Sequence, residues 1–177
     1  MDFGAHFLKN CRFELGRLKE LAEKAMAQVP AEMDLHRAFD AESNSIAVLV
    51  QHISGNLLSR WTDFLETDGE KPDRHRDREF ETDPELTRAQ LRELWERGWS
   101  RLFESLEALT PEDLSKTVRI RNEELTVPEA IQRSLVHTAY HVGQIVFLSK
   151  HLGSAKWSSL SIPSGRSESA PGGYKKA

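Results

Sequence analysis

The sequence predicts an all-α protein, a four-helix bundle with a long connection between its second and third helices. Three observations carry this expectation. Apolar residues recur at helical spacing in four long segments, no comparable stretch alternates like a half-buried strand, and helix-opening signatures stand at the boundaries. The 177 residues, 38% of them hydrophobic, suit a single core, placed in residues 1–153. An irregular tail, 154–177, follows and is expected to pack partly back on the bundle.

The first helix is expected from about Phe3 to Val29, because Phe3, Phe7, Cys11, Leu15, Leu18, Ala22 and Val29 share one face and Pro30 follows as a stop. The second runs from Asn44 to about Leu65, opened by Ser43 or Asn44, whose side-chain oxygen can accept from a first-turn amide. Its apolar stripe is Ile46, Val50, Ile53, Leu57 and Phe64, while Ser45, Leu49, His52, Asn56, Ser59 and Asp63 make an unusually polar second face. Residues Glu66 to Pro84 are dense with both charges and hold Gly69 and Pro72, so they read as a loop with room for a crossover. A connection beyond about 12–15 residues is either functional, here as a lid supplying cationic contacts, or a solvated mobile segment.

The third helix opens on the capping-box pattern Thr87-x-x-Gln90 and runs to about Leu109, with Leu91, Leu94, Trp95, Leu102, Phe103, Leu106 and Leu109 on its buried side. Trp95 and Trp99 read as core and near-surface packing residues. A short helical turn near Pro111 to Leu114 precedes Thr117 to Leu125, which can form a hairpin around Asn122. The fourth helix is announced by Thr126-Val127-Pro128-Glu129 and ends at Gly153. It is apolar nearly all round, so most of it is expected to be buried. Beyond Gly153 the chain turns Ser-, Gly- and Pro-rich, although Trp157, Leu160 and Ile162 are apolar enough to pack on the bundle.

Charge and composition weigh against whole classes of function. With 24 Lys+Arg scattered among 28 Asp+Glu and a net charge of −4, the chain lacks the massed basic surface of a nucleic-acid or membrane-surface binder. The longest unbroken apolar run, Ile46 to Val50, is far short of the roughly 20 residues a membrane span needs. The first residues carry no basic n-region, and a lone Cys11, read as a small core residue, closes no internal disulfide. A cytoplasmic protein is expected.

The residues able to do chemistry are histidines. His137 and His141 stand four apart on the most apolar helix and project from one face, the spacing at which two imidazoles can share a metal. Two satisfied core histidines, bonded to carbonyls or hydroxyls, are the competing reading. His52, centred on the polar face of the second helix, raises the count to three, the number of a site that keeps coordination positions open. Three neutral imidazoles leave a divalent ion its full +2 charge, which lowers the pKa of a bound water or thiol. His6, His36, His75 and His151 are expected in solvent.

The spacing also disfavours two families of metal chemistry. A zincin needs Glu directly after the first His, and Thr138 stands there; a di-iron bundle needs Glu-x-x-His pairs, and the chain has none. What fits is a reaction whose nucleophile the ion activates, a water or a thiol.

The layout resembles the DinB/YfiT-like superfamily of four-helix-bundle metalloenzymes, in which a His of helix two and an HxxxH of helix four bind one divalent metal. Asn44-Ser45-Ile46 leading to His52-Ile53-Ser54-Gly55-Asn56, then Ser59 to Leu65 and Thr67 to Pro72, looks like its DUF1572 branch. His137-Thr138-Ala139-Tyr140-His141-Val142-Gly143-Gln144-Ile145 and Leu160-Ser161-Ile162-Pro163 look like the closing motifs of that branch. The resemblance spans nearly the whole chain and implies that His52, His137 and His141 are the metal ligands. Characterised relatives include bacillithiol S-transferases and mycothiol-dependent isomerases, which imply zinc or nickel and a thiol co-substrate. Imidazole donors by themselves also accept iron, cobalt or copper.

Asn56, one turn from His52, and Gln144, three residues after His141, are candidates to orient a ligand, a water or a substrate, or simply to cap backbone. Arg60 is a candidate contact for an acidic co-substrate. Three functions stay open: a thiol-transferring enzyme, a hydrolase using metal-activated water, and a non-catalytic or stress-related bundle whose metal staples helices two and four. A small-molecule substrate and a homodimer are compatible with all of these features.

Overall fold

The computed structural model describes residues 2–166 and 168, so the end of the tail, including Lys175 and Lys176, lies outside the described residues. Helix α1 spans Phe3–Met26, capped by Asp2, whose carboxylate accepts from the Ala5 amide at 2.9 Å. It stops short of the expected Val29 because the amides of Gln28 and Val29 turn back to the carbonyls of Ala25 and Met26, tightening the last turn. Helix α2 spans Ile46–Trp61, and its cap is Ser45, which accepts from Val48 at 3.2 Å. Ser43, one of the two expected caps, instead donates to Asp40. The helix ends before the expected Leu65 because Asp63 takes a positive φ of 47°, after which Phe64 folds back to stack on Trp61 at 4.6 Å.

Helices α3 (Arg88–Ala108) and α4 (Val127–Gly153) open on the two expected capping boxes, Thr87 with Gln90 and Thr126 with Glu129. Between them, β1 (Thr117–Ile120) and β2 (Glu123–Thr126) pair antiparallel. Arg121 and Asn122 both sit at positive φ, 58° and 62°, the condition for a two-residue turn whose twist matches that of the strands. Single 3₁₀ turns occupy Met33–His36, Arg76–Phe80 and Pro111–Ser115.

The four helices close a ring in which α2 packs on α3 and α4, and α1 on α4 and α3. Helices α2 and α3 are therefore direct neighbours, and the diagonal crossings fall in the α1–α2 and α3–α4 connections rather than in residues 66–84. Gly98 makes the α2–α3 contact possible: a Cβ there would lie 2.9 Å from Ser54 Cα and 3.0 Å from its carbonyl oxygen. Trp61, Trp95, Trp99, Leu15, Leu57, Leu106, Ile131 and Ile145 fill the core, and Cys11 is buried among them, its thiol pushed up to about 11 chiefly by burial. Trp99, expected nearer the surface, is fully enclosed.

Two further expectations are corrected. Helix α4 is buried along one side only: Val136, Tyr140 and Phe147 are 61%, 52% and 65% exposed, because α1 and α2 cover the opposite side of the helix. His36 is half-buried rather than solvated, its Nε2 bonded to the Leu86 carbonyl at 2.9 Å, since the 3₁₀ turn carrying it packs beneath α2. In the tail, Trp157 and Leu160 pack on the core, and Gln28 exchanges two hydrogen bonds with the backbone of Ser158. Among the described residues, no helix is long and apolar enough to cross a membrane.

Candidate metal centre

His52 lies mid-α2 and His137 and His141 lie one turn apart on α4, so the lateral packing of these two helices brings three imidazoles together from positions 85 residues apart. The nitrogens Nε2 of His52 and His137 stand 3.1 Å apart, and one donor atom from each of the three residues lies within 4.8 Å of the others. Two donors held about 2.0–2.1 Å from one ion are separated by roughly 3 Å, so the cluster has the dimensions of a metal site. The three histidines can hold a metal ion.

Their protonation follows from what stands behind them. His52 donates through Nδ1 to Glu79 Oε2 at 2.9 Å, and His141 donates through Nδ1 to Gln144 Oε1 at 2.8 Å. Each bond fixes the tautomer that leaves the Nε2 lone pair facing the cluster, the orientation a ligating imidazole needs. His137 is driven down to about 3, first by burial and then by the neighbouring imidazoles of His141 and His52. His141 is also lowered, again chiefly by burial, although Gln144 opposes the shift. Neutral imidazole is the ligand form, so burial prepares His137 and His141 for a cation by excluding the proton.

Glu79 was not visible as part of this arrangement in the sequence. It sits in the 3₁₀ turn Arg76–Phe80 and is brought onto His52 by Arg74, whose Nε and terminal nitrogen reach its two oxygens at 2.7 and 2.8 Å. Burial pushes the Glu79 carboxyl up, but the hydrogen bonds from Arg74 and His52 outweigh it and hold it below the ordinary value. With both oxygens engaged, Glu79 acts as an orienting acceptor for His52. The only sequence signal for it was the density of charge in the loop.

The same loop is firmly tied. Asp68 accepts from the amides of Glu70, Arg121 and Asn122, Gly69 donates to Arg119, and Ser59 and Arg60 both donate to the Gly69 carbonyl. Residues 66–71 are thereby pinned to the β1–β2 turn and to the end of α2. Arg60 faces the site but spends its donors on Gly69 and Glu70, and Asn56 lines the cleft without bonding any of the three histidines. His6, His75 and His151 are exposed and stand apart from the cluster.

A family model described as a protein of unknown function, DUF1572, matches residues 2–166. The chain belongs to the DUF1572 family. Comparison with curated proteins and with solved structures returns no match. In this DUF1572 protein the match takes in all three histidines together with Glu79 and Gln144, so the cluster and its supports lie inside the family's common region.

The three histidines line a cleft of about 760 Å³, together with Trp61, Phe64, Phe80, Ile120 and Tyr140 and several arginines. That volume is within the range of small-molecule sites. A second cavity, about 330 Å³ between α1 and α3 around Met26, Leu91 and Trp95, holds none of these histidines.

Proposed function

We propose that this protein is a divalent-metal-dependent enzyme of the DinB-like type, with His52, His137 and His141 as ligands of zinc or nickel, using a low-molecular-weight thiol as co-substrate. The observation that carries this reading is the asymmetry of the cluster: Glu79 and Gln144 hold two imidazoles from behind while the front of all three opens on the cleft. A purely structural site closes its coordination sphere with protein groups, whereas a catalytic one keeps a position open. When bound, the ion supplies a +2 charge that favours the thiolate over the thiol. The chain's own residues supply the rest: Glu79 and Gln144 fix the ring orientations, and the aromatic wall excludes water from the reacting sulfur.

The transfer forms a carbon–sulfur bond, breaks the bond from that carbon to its leaving group, and releases the thiol proton to solvent. With a chloro-dinitroaromatic electrophile the leaving group is chloride. Elemental analysis of untagged protein, with His52→Ala, His137→Ala and His141→Ala beside it, is expected to give near-stoichiometric metal that falls in every variant. The loaded protein is then expected to release chloride only when a low-molecular-weight thiol is present. Turnover of ester substrates without thiol assigns the site to hydrolysis instead, and a metal-free parent overturns both readings.

A further inference from the structure

The cleft is cationic in a chain whose net charge is −4. Arg60, Arg74, Arg76, Arg121 and Arg133 line it, against one lining carboxylate among the described residues, Glu129. Glu129 is engaged in the α4 cap, accepting from the Thr126 amide and hydroxyl. Behind the wall, Glu70 takes three guanidiniums at once, Arg60 at 2.8 Å, Arg121 at 2.9 Å and Arg74 at 3.5 Å. Glu79 is shared between Arg74 and His52. Three arginines thus face two carboxylates, one of which also serves an imidazole.

The two remaining arginines are held loosely. Arg133 meets Glu123 at 3.3 Å with both side chains about half exposed or more, and Arg76 stands 3.7 Å from Asp77, whose side chain is fully in solvent. Pairs this exposed contribute little, so either guanidinium can exchange its partner for a ligand. Arg76 also lies 4.8 Å over the Phe80 ring, which places a cation beside the aromatic wall.

We infer that the cleft binds a small organic anion, a carboxylate- or phosphate-bearing molecule whose apolar body lies on the aromatic wall and whose anionic group is received by Arg76 and Arg133. The inference rests on the reading of this cleft as the substrate side of the histidine site, but the recognition is by guanidinium and does not need the ion. The fork of donors on arginine matches both oxyanions, so the two are separated by experiment.

The test is calorimetric titration of the full chain, stripped with chelator, with phenylacetate, benzyl phosphate and the neutral phenylacetamide at low ionic strength. At least one anion is expected to bind about tenfold or more tighter than the amide, with an advantage that shrinks in high salt. Which anion binds more tightly distinguishes carboxylate from phosphate. The double variant Arg76→Gln/Arg133→Gln is expected to lose about fivefold or more for that anion and nothing for the amide. Absent binding of both anions, affinities of anion and amide within about twofold, or an unaffected double variant overturns the inference. Because the titration uses stripped protein, a metal-free parent leaves this result standing, and loss of anion preference in a protein that binds metal leaves the metal assignment standing.

Discussion

Gly55→Ala separates the stability of α2 from the quality of the histidine cluster, because its two effects have opposite sign. A Cβ on Gly55 falls on Oε1 of Glu79 and 2.7 Å from its Cδ, where ordinary contact begins at 3.4 Å. The carboxylate must therefore move by roughly 0.7 Å at Cδ and by more at Oε1, and with Arg74 resisting the movement its 2.9 Å bond to His52 is expected to break. Loss of such an outer partner costs about 10- to 100-fold in metal affinity, or about 1.4–2.7 kcal/mol. Replacing glycine within a helix by alanine meanwhile stabilises the helix by about 0.8–1 kcal/mol. The expected result is a protein that unfolds at equal or higher denaturant yet holds zinc more weakly in competition with a chromophoric chelator. Gly143→Ala is the control, since it lies two residues from His141 on α4 and its Cβ meets nothing within 4 Å. It is expected to gain the same helical stability with unchanged affinity. Zinc affinity within about twofold of the parent in Gly55→Ala would refute the role assigned to Glu79.

Three other outcomes follow from the same structure. Gly98→Ala places a methyl against the backbone of Ser54, which cannot yield as a side chain can, and is expected to destabilise by about 1–3 kcal/mol in urea with an unchanged slope. For the chelator-treated protein, His137 has a folded pKa near 3 against an ordinary 6.5, so the unfolded state binds the extra proton and stability falls as pH drops below 6.5. Melting temperatures between pH 8 and about 5, above most carboxylate titration, are expected to show that fall and to show less of it in His137→Gln; equal profiles would count against a half-buried neutral imidazole at this position. Asp68→Ala removes the acceptor of three backbone amides and is expected to cost about 1–3 kcal/mol, with faster amide exchange at Arg121 and Asn122.

Much of the fold was legible because it is written in local chemistry. The two capping boxes, Pro128, and the apolar spacing of α1 and α3 are short-range signals, and the structure places those helices within a few residues of where periodicity puts them. Errors arose where a tertiary partner decided the matter. Ser43 lost the α2 cap to Ser45 because Asp40 captured its hydroxyl, and the apolar circumference of α4 did not reveal which side two neighbouring helices would cover. The histidines stood out because imidazoles on an apolar helix demand partners. Glu79 did not, because its neighbours in sequence are equally charged and only the fold of the loop sets it apart from Glu81 or Asp77.

The distance along the chain between His52 and His137 has one more consequence. An ion held by both would close a loop of 85 residues, the topological equivalent of a disulfide in a protein whose single cysteine can form none. In the chain-entropy treatment, a permanent link of that span removes about 4.6 kcal/mol of freedom from the unfolded ensemble. Metal occupancy would then add to the stability of the folded state, and the metal supply would become one determinant of how much of the protein stays folded.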